Sequence, residues 1–256
     1  MRHLLKPIRR ALIGACAAAV AWAPASAEFF DSTIADTRTL AAFKVNSEAL
    51  AEWLPDTHVS APYGGGSFEG ANLLMMFIDR MLHQDAEGNP KNGGAYRMMA
   101  LIVPGVDSES GEKSTFIARV YSPGEGAGPY KTAVQSDVRH SVSLSGAGSE
   151  PLSGRHVWQI EQDGGSLEIA FDYVAGVPGR KAGESVLSTP LDASVKRIYR
   201  YDQLTDVVLS TAKGIDRTSN VLVRVEIPEL AAMFDGTETL IGLADRPFYT
   251  RTTWKP

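Results

Sequence analysis

A mainly β (α+β) chain with a few short helices is predicted by three observations. Glycine and proline are frequent, at 24 and 14 of 256 residues, and they cut the sequence into segments better suited to strands than to long helices. Beyond the first 27 residues the apolar runs are short. Leu167, Ile169, Phe171 and Tyr173 alternate cleanly with Glu168, Ala170 and Asp172, the period-2 pattern of a strand with one buried face.

Residues 1–27 read as an export signal. Arg2, Lys6, Arg9 and Arg10 form a basic start, Ala11–Ala23 an apolar segment, and Ala25-Ser26-Ala27 a small-x-small cleavage site after Pro24. The apolar segment is too short for a comfortable span, so no stable membrane insertion is expected after cleavage. The expected location is periplasmic or secreted, and residues 28–256 are expected to form a single domain. The lone cysteine, Cys16, lies in the signal, which leaves the remainder with neither a disulfide framework nor a thiol nucleophile. The formal charge of −5 becomes more negative once the basic start is removed. That argues against a nucleic-acid surface.

Phe29–Thr39 reads as a lead-in strand or extended arm, followed by the apolar Leu40–Val45. Asn46 or Ser47 is placed to cap a short helix ending at Leu54, with Leu50, Trp53 and Leu54 on one face and Pro55 as its stop. His58–Gly70 is too glycine-rich for a helix and suits a turn or a flap. Ala71–Arg80 reads as a buried strand, with a short helix as the alternative. Ala95–Val103 and Ser114–Tyr121 are strands separated by the loop Pro104–Lys113. Pro123–Pro129 is a turn, and Lys131–Ser145 alternates with a slip near Ser136 that predicts a bulge or a bend. Val157–Ile160 and Ser166–Tyr173 form a hairpin through the Asp-Gly turn of Glu161–Gly165. After a loop at Gly176–Gly183 come strands at Tyr199–Leu209 and Val221–Ile227, a short helix at Pro228–Phe234 and a closing segment at Thr239–Phe248.

Several chemistries lack their motifs. No H-E-x-x-H zinc motif is present, and the histidines His58, His83, His140 and His156 sit on separate segments, so no metal site is assigned. There is no G-x-S-x-G elbow. Gly64-Gly65-Gly66 lacks the Lys-Ser/Thr of a phosphate loop, and no cofactor motif is found. Lysine chemistry remains. Lys131 follows Tyr130 directly after the glycine-rich turn, with Arg97, Arg119 and Arg139 on neighbouring segments. An amine attacks a carbonyl only when unprotonated, which requires an apolar pocket or a nearby cation. An arginine in the same cavity would serve that end and would also hold a carboxylate. Glu69 or Glu125 could carry the proton. Equally, Lys131 could simply flank a turn and face water.

Three stretches resemble the acetoacetate decarboxylase superfamily: Phe43–Pro55 (FKVNSEALAEWLP), Ala95–Val103 (AYRMMALIV) and Pro129-Tyr130-Lys131. The resemblance implies a β-cone or double barrel around a central cavity. It also implies a lyase that acts on a small keto acid or related carbonyl compound through a lysine Schiff base. Lys131 matches a lysine of the family's segment, but Thr132 stands where a second lysine is usual. On this reading Lys131 is the nucleophile, Arg97 or Arg119 the carboxylate anchor and Glu69 the proton carrier. The alternative is a non-catalytic exported β-barrel that binds a small carboxylated or apolar molecule. Homo-oligomer formation stays open under both.

Overall fold

In the computed structural model, residues 28–124 and 128–256 are described. The segment read as an export signal lies outside the described residues, as does Glu125 in the Pro123–Pro129 turn. The strands, in chain order, are β1 (Phe29–Lys44), β2 (His58–Ser60), β3 (Leu73–Asp85), β4 (Tyr96–Asp107), β5 (Lys113–Ser122), β6 (Ala133–Gln135), β7 (Asp137–Ser145), β8 (Ser153–Gln162), β9 (Gly165–Val174), β10 (Gly179–Thr189), β11 (Asp192–Ser210), β12 (Ile215–Asp216), β13 (Thr218–Val225) and β14 (Thr239–Lys255). They make two sheets. The larger has the order β2-β4-β3-β1-β14-β11-β10-β5-β6, with β12 on β11, and the smaller has the order β13-β9-β8-β7.

The large sheet curls back on itself. β5 pairs with β4 from Met99/Tyr121 to Val106/Lys113, and it meets β10 through one parallel pair, Ser188 opposite Phe116. The seam is a single pair rather than a continuous ladder. The double barrel implied by the resemblance is therefore replaced by one curled sheet with a separate four-stranded sheet packed on it.

The apolar strand expected at Ala71–Arg80 is β3, and it has no polar side because both of its faces are covered. Leu73, Met75 and Phe77 join Trp158, Ile169 and Phe171 of the small sheet in one core. Leu74 and Met76 face the other way, into the curled sheet, where they meet Ala100, Ile102 and Ile117. The Asp-Gly hairpin is β8–β9, paired from Ser153/Val174 to Gln162/Gly165. Asp163 (φ 52°) and Gly164 (φ 75°) both take positive φ, as a type I′ turn demands. The slip near Ser136 is the point where the chain leaves one sheet for the other: β6 pairs with β5 and β7 with β8.

Both expected helices are corrected to single 3-10 turns, Ala51–Trp53 and Pro228–Leu230. Ser47–Leu54 has an apolar face at helical spacing but is too short to sustain a helix on its own. Leu50 and Leu54 still reach the core from this tight turn. The loop expected at Gly176–Gly183 ends early, because β10 starts at Gly179. Most of β10 is exposed, so it carries no alternating apolar signal.

A column of flat rings runs between the sheets. His140 stacks on Trp158 with centroids 3.8 Å apart, its Nε2 lies 3.0 Å from Nδ1 of His156, and the His156 ring runs parallel to Tyr173 at 5.4 Å. Two carboxylates of the large sheet flank it: Asp79 lies 3.2 Å from His140 Nδ1, and Asp245 3.5 Å from His156 Nε2.

Candidate ligand-binding cavity

The inner face of the curled sheet encloses a cavity of about 640 Å³, within the usual range for small-molecule sites. One wall is apolar. β3 and β4 supply it with alternate residues, among them Leu74, Met76, Met98 and Ile102, and β5 adds Ile117 and Val120 on either side of a register slip at Ala118. The opposite wall, from β1, β11 and β14, is cationic and aromatic. Arg197, Tyr199, Tyr201 and Gln203 alternate along β11, and Tyr249, Arg251, Thr253 and Lys255 along β14.

Arg246 breaks that alternation and still faces the cavity. The pairing of β14 slips around it: Leu204 is opposite Phe248, but Asp206 is opposite Asp245. A bulge of this kind re-aims a side chain, and it also accommodates Pro247, which has no N–H to give to a ladder. Arg246 Nε donates to Thr205 Oγ1 at 3.1 Å.

Asp36 is the buried counter-charge of this wall. Arg38 Nη2 donates to its Oδ2 at 2.6 Å, and Arg80 Nε to its Oδ1 at 2.9 Å. All three residues are buried. Burial pushes the Asp36 carboxyl up, but the Arg80 and Arg38 guanidiniums outweigh it and hold the group below its usual range. Arg38 lies over the Tyr249 ring and Arg251 over the Tyr199 ring, at 3.2 and 3.6 Å from the centroids. Among the described residues, Arg197, Arg246 and Arg251 have no carboxylate partner, and the Nε atoms of Arg197 and Arg251 are buried without a hydrogen bond. Arg246 is pushed down to about 10, first by burial and then by Arg38.

His83 stands at the cavity with Tyr96, whose hydroxyl lies 3.3 Å from His83 Nδ1 and accepts from Arg80 Nη1 at 2.6 Å. Burial, followed by Arg80 and Lys91, lowers the imidazole from 6.5 to about 4. Between those values the unfolded chain binds more protons than the folded one, so stability falls as pH is lowered from about 7 towards 4. His83→Gln should reduce that loss, as read by urea unfolding at pH 7 and 4.5. An unchanged loss would show that His83 titrates normally.

None of the four site residues expected from the sequence lines the cavity. Lys131 is exposed and adopts φ 55°. Tyr130, beside it, points inward and is pinned by a 2.6 Å hydroxyl contact with Tyr199 and by Thr189 Oγ1, which donates to its carbonyl at 3.0 Å. Lys131 follows in a bend, in the left-handed region, with its side chain in solvent. Glu69 is exposed in the loop before β3. Arg97 lies on the outer side of β4, its Nε 3.4 Å from Asp79. Arg119 faces outward from β5, donating to Glu229 at 2.6 Å and lying over Trp53. The structure thus brings together arginines that the sequence reading passed over. Their signal was the i, i+2 spacing of Asp36 with Arg38, of Arg197 with Tyr199 and Tyr201, and of Tyr249 with Arg251. No three His, Cys, Asp or Glu residues are grouped to hold a metal among the described residues.

No family model matches the chain, and no curated protein does. Solved structures share its fold. The enduracididine biosynthesis enzyme MppR complexed with pyruvate superposes with a TM-score of 0.55 at 9% identity, covering 88% of this chain and 88% of that one. MppR complexed with the condensation product of pyruvate and imidazole 4-carboxaldehyde gives 0.54 at 9% identity, covering 88% and 87%. An acetoacetate decarboxylase-like enzyme from Sphingomonas wittichii RW1 gives 0.51 at 10% identity, covering 87% and 89%. At these identities the likeness is one of fold.

Proposed function

We propose that the chain is an exported single-domain protein that takes a small carboxylated molecule into the cavity of the curled sheet. The observation that carries this reading is the set of cavity-facing guanidiniums, Arg197, Arg246 and Arg251, with no carboxylate partner among the described residues. A guanidinium fork matches a carboxylate in geometry and charge. The apolar wall would take the body of the molecule. That a protein of this fold has been solved with pyruvate fits a carboxylate ligand. Calorimetric titration with pyruvate and benzoate tests the reading. Arg251→Leu should weaken binding by about 1.5–3 kcal/mol, about ten- to a hundredfold. No heat with either compound would count against the reading.

The second reading is the lyase of the resemblance, with Lys131 forming an imine with a keto acid. One observation favours it: Lys131 is a non-glycine residue in the left-handed region beside the cavity wall, and such strained residues concentrate at functional sites. Borohydride reduction in the presence of pyruvate separates the two. On the binding reading Lys131 gives no adduct, and Lys131→Ala binds pyruvate like the parent. A reduced adduct at Lys131 would favour the lyase.

A further inference from the structure

The charge inside the cavity exceeds what one carboxylate can balance. Arg38 and Arg80 share the single Asp36, so that group keeps one net positive charge. Arg197, Arg246 and Arg251 add three guanidiniums without a carboxylate among the described residues. Near the same opening, Lys91 and Lys255 share Asp31. Like charges held in a poorly solvated space disfavour one another unless an anion joins them. Burial and then Arg38 lower Arg246, whereas at Arg251 burial is outweighed by Tyr199, Tyr249 and Asp36 together, which raise it.

The unpaired cations also enter the cavity from separate strand positions. Arg246 is opposite Arg38 on β1, Arg251 is opposite Ile34, and Arg197 precedes Ile198, which is opposite Trp254. Facing them is the apolar wall that includes Met76, Met98 and Ile117. Resting on the carboxylate-binding reading above, we infer that the ligand is a small molecule carrying two acidic charges on an apolar or aromatic body. The charges could come from two carboxylates or from one phosphate monoester, since arginine forks accept either.

Calorimetry with matched probes tests this: benzoate against terephthalate, hexanoate against adipate, and phenyl phosphate as the single-group dianion. A merely apolar pocket would prefer benzoate and hexanoate, the less polar members of each pair. The expected result is that a dicarboxylate or phenyl phosphate binds at least about tenfold more tightly than its monoanionic partner. The advantage should shrink as salt is raised. Arg246→Leu should remove most of that advantage while changing monocarboxylate binding less. Preference for phenyl phosphate alone would support two charges and place them on one group. If monocarboxylates bind as tightly as dianions, the inference fails and the carboxylate-binding reading stands. If no probe binds, both fail.

Discussion

Asp36→Asn is expected to lower the unfolding free energy by about 3–5 kcal/mol, the cost of breaking a buried ion pair by removing one partner. The side chain is fully buried, and both of its oxygens accept from guanidiniums, those of Arg38 and Arg80. An amide keeps the shape but loses the charge, and its NH₂ end faces an N–H donor. Two buried cations are then left uncompensated beside Arg246 and Arg251. Urea unfolding at pH 7 gives the number, and a loss below about 1 kcal/mol would show that water or another group compensates. Arg38→Leu in the Asp36→Asn background should recover part of the loss, because it removes one orphaned charge. The folded carboxyl lies below its ordinary value of 3.8. Its contribution is therefore complete above that value and is lost as pH falls through the lowered one.

Trp158→Ala should cost a similar amount, about 3–5 kcal/mol, for a different reason. Trp158 is fully buried where the two sheets meet. Its ring stacks on His140 and lies 5.4 Å from Phe77, and its Nε1 donates to Thr39 Oγ1 on β1 at 3.0 Å. Truncation opens a cavity, removes the end plate of the ring column and deprives the buried Thr39 hydroxyl of its donor. Trp158→Phe keeps much of the stacking and should cost less. Equal losses for the two variants would place the energy in the hydrogen bond rather than in the packing.

Strand identity was legible where one face is buried and the other wet, as in β9, or where a turn demands particular residues, as at Asp163-Gly164. β3 was legible by its unbroken apolar run. β10 was not, because it is exposed along most of its length. The site was harder to read for a geometric reason. Each inward arginine sits in a strand whose alternation looks ordinary in isolation. Only the pairing of β1, β11 and β14 shows that their charged rows face one space. Arg246 was hidden further by the bulge at Pro247, which changes the phase of the strand without an apolar marker. Lys131 drew attention because its chemistry is distinctive, yet the inward-facing residue of that segment is its neighbour Tyr130.

The central partnership of the large sheet joins opposite ends of the chain: β1 pairs with β14 from Phe29/Lys255 to Lys44/Thr239. Contacts of such wide sequence separation form slowly, since a long loop must close before they contribute. β1 can pair with β3 early, but its other edge stays open until the final 17-residue strand arrives. That strand also brings Arg246, Tyr249 and Arg251. The cationic wall of the cavity is therefore complete only once β14 is paired with β1 and β11.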